Sequence, residues 1–383
     1  MSISPQTTHD PDAPSETVPI LETEHLSKVF PVRRLNPFAP ALGVHAVEDA
    51  SLALYPGRVT ALVGESGSGK TTIARLLARV YDPTAGTIRF QGQPIPLKGG
   101  HALREYRRHV QLVFQDPFGS LNPVHGLRYT LSRPLRVYGH VKSEAQETEQ
   151  VLALLKRVSL LPADQFIQKY PHQLSGGQRQ RVSIARALAA HPDVLLADEP
   201  VSMLDVSIRL DILSLLLRLK EEEHLALLYI THDIASARYF ADETFVLYAG
   251  QMVEGGPSEE ITQRPKHPYT QLLLSAAPDP DRMGAEGKGL RALPQRRGEI
   301  PSLITPPGGC RFHPRCPHAM EVCKERFPLR TDLGGGHWTN CFLYGDGGRA
   351  YERVPLADAA APVSPAAVQD DGNVSNGKSK ESV

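Results

Sequence analysis

Val59-Thr60-Ala61-Leu62-Val63, followed without a break by Gly64-Glu65-Ser66-Gly67-Ser68-Gly69-Lys70-Thr71, is the stretch on which the fold turns. The first five residues are apolar and β-branched-rich and end at glycine, the pattern of a buried parallel strand. Beyond the loop, Ile73, Leu76, Leu77 and Val80 recur at helical spacing, which predicts a helix over 71–81. The loop itself reads G-x-x-x-x-G-K-[ST], and its flanks are the strand and helix that this motif requires. Glycines let backbone N–H groups turn onto phosphate oxygens, and the following helix adds its N-terminal dipole. Lys70 is placed to contact β- and γ-phosphates, and the Thr71 hydroxyl to hold Mg²⁺.

Outward from this loop, Val110 to Phe114, Val194 to Ala197 and Ala226 to Ile230 read as further strands. Val206 to Glu223 is a long helical pattern, and Thr244 to Glu254, broken at Ala249-Gly250, reads as a hairpin. Between Asp116 and about His191 the strand signal disappears. There Ser143 with Gln146 forms a capping-box pattern, and Val151, Leu152, Leu155 and Val158 give one apolar face, so this stretch is read as a helical insert. The fold class expected is therefore α/β, a mainly parallel sheet plus an antiparallel β portion, with the insert and a small Cys-containing extension. The organisation expected is a tail at 1–19, a nucleotide domain at 20–265, an extension at 266–345 and a second tail at 346–383. Pro278 to Gly309, dense in Pro, Gly and Arg, is expected to lack a packed core.

Composition narrows the function classes. Lys+Arg and Asp+Glu both number 42 of 383 residues, so no net field recruits nucleic acid. No apolar run approaches the roughly 18 residues of a membrane span, and residues 1–19 lack a signal-peptide pattern. The expectation is a cytoplasmic protein whose membrane work needs partner chains.

Val194-Leu195-Leu196-Ala197-Asp198-Glu199 is an apolar strand ending in two carboxylates, suited to Mg²⁺ (Asp198) and to general-base activation of water (Glu199). Leu174-Ser175-Gly176-Gly177-Gln178-Arg179-Gln180-Arg181 resembles the signature of ATP-binding-cassette (ABC) ATPases, a second anion site at a helix start with Ser175 able to cap. The remaining family positions occur in family order. Phe30 resembles the aromatic that stacks on adenine, and Gln115 the glutamine that senses Mg²⁺ and the γ-phosphate. Asp205 lies in the loop Ser202-Met203-Leu204-Asp205 that crosses the dimer interface, with Met203 where alanine is commoner. His232 resembles the γ-phosphate switch histidine. The resemblance implies ATP contacts at Phe30, Gly64, Ser66, Gly67, Ser68, Gly69, Lys70, Thr71 and Thr72. It implies Mg²⁺ at Thr71, Gln115 and Asp198, and catalysis by Lys70, Gln115, Glu199 and His232. Ser175, Gly176, Gly177 and Gln178 would meet the ATP held by a partner.

Phe114 to Pro123 and His267 to Pro278 resemble the oligopeptide/dipeptide/nickel importer branch in particular. That likeness implies a second, different ATPase chain, two permease subunits and an extracytoplasmic binding protein, with this chain at the cytoplasmic face of the membrane. A phosphonate-degrading complex with an accessory ABC subunit is the competing implication. Cys310, Cys316, Cys323 and Cys341, spaced C-x5-C-x6-C-x17-C, fit neither common zinc folds nor a ferredoxin run. Reduced thiols are expected in a cytosolic chain, and some relatives carry a [4Fe–4S] cluster here. Cluster, zinc and a metal-free unit stay open, and the unit is expected to be structural and independent of the Lys70 site.

Overall fold

A computed structural model describes residues 18–32, 42–95, 100–276, 299–345 and 347–350. Nearly all of both expected tails, and 277–298 of the Pro/Gly/Arg-rich stretch, lie outside the described residues.

The chain opens with β1 (Leu21–Pro31), β2 (Gly43–Leu54), β3 (Val59–Val63), α1 (Lys70–Leu77), β4 (Ala85–Phe90) and β5 (Gln93–Pro94). Helix α2 (Gly100–His109) leads to β6 (Val110–Val113). Five helices then follow with no strand among them: α3 (Pro117–Ser120), α4 (Leu127–Val137), α5 (Glu144–Arg157), α6 (Ala163–Phe166) and α7 (Gly176–Leu188). The second half alternates β7 (Val194–Asp198), α8 (Val206–Glu223), β8 (Ala226–Thr231), α9 (Ile234–Phe240), β9 (Glu243–Tyr248), β10 (Gln251–Pro257), α10 (Ser258–Gln263) and α11 (Pro268–Ala276). The small last unit holds α12 (Val322–Glu325), β11 (Arg326–Pro328), β12 (Thr331–Asp332), β13 (Trp338–Thr339) and β14 (Gly348–Ala350).

One large sheet runs β5-β4-β1-β2-β10-β9-β3-β8-β7-β6, with β13 attached to β10. Its parallel part is the run of β9, β3, β8, β7 and β6. Residues alternate between two cores across it. Val59, Ala61 and Val63 join the insert helices and α8, while Leu62 joins Ile73, Leu76 and Leu77 of α1. Both faces of the parallel strands are thus covered, which is why these strands read as unbroken apolar runs.

The predicted helix over 71–81 is shorter than expected. It ends at Leu77 because Arg79 takes a left-handed φ of 54° and Val80 faces solvent. In α5, Ser143 accepts from the Gln146 N–H at 3.2 Å, but the Gln146 side chain turns to the Lys142 N–H, so only half of the capping box forms. The hairpin forms as expected, with Ala249 and Gly250 both at positive φ in a two-residue turn.

Contacts tie the extension to the nucleotide domain. The His45 N–H donates to the Leu303 carbonyl at 2.8 Å. Packing also continues across residue 265. Tyr269 and Phe312 belong to the same buried core as Val63 and Tyr248, and β13 extends the main sheet.

Candidate nucleotide site

Parallel register gathers the motif residues at one end of the sheet. Val63 on β3 pairs with Thr231 on β8, Asp198 on β7 with Ile230, and Val113 on β6 with Ala197. The loops leaving these carboxyl ends therefore meet, as ligand-binding loops do in open α/β sheets. A cavity of about 760 Å³ lies there, lined by Phe30, Glu65, Ser66, Gly67, Gly69, Lys70, Thr71, Thr72, Gln115, Glu199 and His232, with Val44, Ala46, Leu273 and Leu303 completing it.

The loop over this cavity has no room for side chains at two points. A Cβ on Gly64 would lie 2.2 Å from the Leu247 carbonyl oxygen. Gly69, at φ 106°, would place one 2.3 Å from the Ala46 oxygen. Gly64 and Ser68 form the underside rather than the lining, and the buried Ser68 hydroxyl has no hydrogen-bond partner. Lys70 is buried and donates from Nζ to the Gly64 and Glu65 carbonyls at 2.7 and 3.0 Å. Burial lowers its pKa, opposed by the nearby Glu199, Asp198 and Glu65 carboxylates. Among the described residues this cation has no carboxylate hydrogen-bond partner, and its place at the glycine-rich loop fits a polyphosphate.

The Thr71 hydroxyl donates to Asp198 Oδ1 at 3.1 Å, which brings two of the three expected Mg²⁺ residues together, while Gln115 turns to Glu199. Burial raises the Asp198 pKa, partly offset by that hydrogen bond. Glu199 takes a left-handed φ of 45°, unusual for a side chain of its kind, while its N–H is held by the Ile230 carbonyl at 3.0 Å. Its Oε2 accepts from Gln115 Nε2 at 3.1 Å and lies 3.4 Å from His232 Nδ1. Two residues from separate strand ends, Gln115 and His232, thus converge on one oxygen of the Glu199 carboxylate. Phe30 stands on the cavity wall, edge-on to Tyr81 with ring centroids 5.1 Å apart.

The signature is not part of this chain's own cavity. Ser175 and Gln178 form a full capping box at the start of α7, and Ser175 is exposed. Gly176 is half-buried, and Gly177 is buried against Ile208. Asp205 caps α8 by position but makes no side-chain cap bond, and Met203 and Val206 beside it are exposed.

All four cysteines are free thiols and line one small apolar cavity. Burial pushes Cys310 up to about 12 and Cys341 up to about 11. Among the described residues no group of three or more His, Cys, Asp or Glu could hold a metal ion, so the expected [4Fe–4S] or zinc site is not supported by the geometry. Among the described residues no helix is long and apolar enough to cross a membrane.

Sequence reasoning missed six contributors to this region, Val44 and Ala46 on the cavity wall among them. Leu273 and Leu303 line the cavity from the extension. Arg315 pairs with Glu65, and the Tyr269 hydroxyl accepts from the Glu65 N–H. No motif spacing marks contacts made across some 200 residues of chain.

Comparison with known proteins agrees with this geometry. Residues 47–202 match the family model "ABC transporter", and 253–323 match "Oligopeptide/dipeptide transporter, C-terminal region". The chain is 42% identical to the oligopeptide transport ATP-binding protein AppF of Bacillus subtilis, over 85% of this chain and 97% of AppF. It is 40% identical to the dipeptide transport ATP-binding protein DppF of Escherichia coli, over 83% of this chain and 92% of DppF. Among solved structures it resembles cbiO1 of Clostridium perfringens, with a TM-score of 0.55 and 28% identity over 64% of this chain and 91% of that one. It also resembles the bacterial ABC transporter cassette MJ0796, solved as a dimer, with a TM-score of 0.54 and 29% identity over 62% and 98%. The chain belongs to the ATP-binding subunits of ABC transporters, ATPases that hydrolyse ATP to drive transport, in the branch that carries the oligopeptide/dipeptide C-terminal region.

Proposed function

We propose that this chain powers an importer of oligopeptides or dipeptides, as one of two ATPase subunits beneath two permeases fed by an extracytoplasmic binding protein. The reading is carried by one conjunction. The Lys70 cavity has a complete set of cradle, Mg²⁺ and base residues, and the chain that closes it from behind matches the peptide-transporter C-terminal region.

The substrate is Mg·ATP. Lys70 and the loop amides bind its β- and γ-phosphates, and Thr71 and Asp198 hold the ion. Glu199, steadied by Gln115 and His232, takes a proton from water as the water oxygen attacks the γ-phosphorus. The bond to the β-phosphate oxygen breaks, leaving ADP and phosphate. Phe30 stacks on the adenine ring. Because Ser175 faces solvent and not its own Lys70, the signature serves the ATP of a second ATPase chain, across a face that includes the exposed Met203 and Val206. ATP favours the closed pair because it touches both halves only there. Exposed Phe118, Val124 and Tyr129 at the start of the helical insert offer an apolar seat for a permease, which supports work at the cytoplasmic face of the membrane.

Uptake of a labelled peptide by cells lacking this chain tests the reading. Wild type should restore uptake and Glu199→Gln should not. Undiminished peptide uptake in the deletion would turn the reading to another small solute.

A further inference from the structure

The motif leaves the second position of the phosphate loop open, and here it is Glu65. Its carboxylate makes a two-pronged pair with Arg315, with Nη1 to Oε2 at 2.8 Å and Nη2 to Oε1 at 3.0 Å. Both side chains are largely covered, at 13% exposure for Arg315 and 26% for Glu65. The guanidinium also donates to the Tyr248 hydroxyl at 3.3 Å and lies against the Tyr248 and Phe312 rings. At the same residue the Glu65 N–H donates to the hydroxyl of the fully buried Tyr269 at 2.8 Å. Its carbonyl in turn accepts from Lys70. Glu65 is therefore held at its amide and its carboxylate by two residues of the extension. Tyr269 comes from α11, and Arg315 from the turn between Cys310 and Cys316.

A phosphate loop works only when several amides point inward together. This loop is rich in glycine, so it has little side-chain packing of its own and many backbone states to lose. A bidentate arginine fixes direction as well as charge, and the tyrosine fixes the peptide plane beside it. If the competent loop is only fractionally populated, apparent affinity falls by that fraction. We propose that Arg315 and Tyr269 are positioning residues for the phosphate loop, so that the cysteine unit sets ATP affinity. This rests on Lys70 being the phosphate ligand, and it departs from the expectation that the unit is independent of that site.

The test titrates Mg·ATP into the full chain carrying Glu199→Gln, which removes turnover. Glu65→Gln should weaken binding about tenfold, the scale of losing a hydrogen-bonded charge pair. Arg315→Ala should match it, Arg315→Lys should recover only part, and Arg315→Ala with Glu65→Gln should be no worse than either alone. Tyr269→Phe, which keeps the ring and removes one hydroxyl, should weaken binding by a few-fold. With Glu199 intact, KM for ATP should rise by the same factors while kcat at saturating ATP stays near wild type, a split that simple loss of fold would not give. Glu65→Gln changes no residue of the cysteine unit and keeps an oxygen to accept from Arg315, so it decides the matter even if Arg315→Ala fails to fold. Affinity within twofold of wild type in Glu65→Gln, with Lys70→Ala abolishing binding, would overturn the proposal. A Lys70→Ala chain that binds like wild type would sink the cradle reading and this inference with it.

Discussion

The phosphate loop and the cysteine unit meet at Glu65, yet they are held by different means. The loop hangs between β3, hydrogen-bonded to β8 on one side and β9 on the other, and the α1 helix. Regular ladders anchor both of its ends, so few single side chains are indispensable to the stability of that region, while Arg315 and Tyr269 set the direction of the loop at Glu65. The cysteine unit has strands of only two or three residues. Its position depends on individual polar contacts. Fully buried Arg311 donates to the Glu48 carboxylate, to the Ala249 carbonyl and to the His45 carbonyl. Fully buried Glu254 accepts from the Lys266 and His267 N–H groups at 2.7 and 3.0 Å and from His337 Nε2 at 2.7 Å. A region built on ladders should tolerate loss of one side-chain bond. A region built on buried charges should not, because removing one partner strands the other.

The widest contrast comes from Lys70→Ala. It should leave the thermal stability of the chain close to wild type yet abolish detectable ATP binding in calorimetry, because the phosphates lose their positioned cation. Arg311→Ala should act the other way round, costing about 3–5 kcal/mol of stability in a denaturant titration, the scale for breaking a buried pair. An Arg311→Ala chain within about 1 kcal/mol of wild type, which is the scale of an exposed pair, would erase the distinction between the two regions.

Ser175→Arg, at an exposed cap, should leave ATP binding at this chain's Lys70 intact and block hydrolysis in the assembled pair. Gly177 is a poorer probe, since a Cβ there would lie 2.6 Å from Ile208 Cγ2 and disturb the chain's own packing. Normal turnover by an assembled pair carrying Ser175→Arg would contradict a shared site.

The smallest expected effect is a pH dependence in the extension. Burial pushes the His267 pKa down from 6.5 to about 4, and its Nδ1 accepts from the Tyr269 N–H at 3.1 Å. The unfolded chain takes up this proton as pH falls through the ordinary histidine range, whereas the folded chain does so only near 4. The contribution of His267 is thus complete above 6.5, declines between 6.5 and about 4, and is flat below. Its ceiling is ~3 kcal/mol. Melting scans across that window should show a steeper acid loss for wild type than for His267→Gln, and parallel slopes would remove His267 as the cause.

The same division explains what the sequence disclosed. Strands β3, β7 and β8 are buried on both faces, so their apolar runs stand out, and the residues at their ends carry fixed spacings that chemistry demands. The antiparallel part was expected as a class, but β1, β2 and β4 were not located. His25 and Asp49 sit at positive φ where β1 and β2 shift register, and such bulges break the two-residue alternation that marks a strand. The link from Arg315 to Glu65 spans 250 residues and is a single ion pair, which leaves no periodicity behind.

Phosphate release by the purified full chain, paired with its partner and carrying Glu199→Gln, tests the central assignment most directly. Glu199 stands at φ 45° with Gln115 and His232 against its carboxylate, and glutamine keeps the shape without the base. Mg·ATP should still bind with near wild-type affinity while hydrolysis falls by roughly two or more orders of magnitude. Turnover near the wild-type rate with binding intact would contradict the assignment of Glu199 as the base.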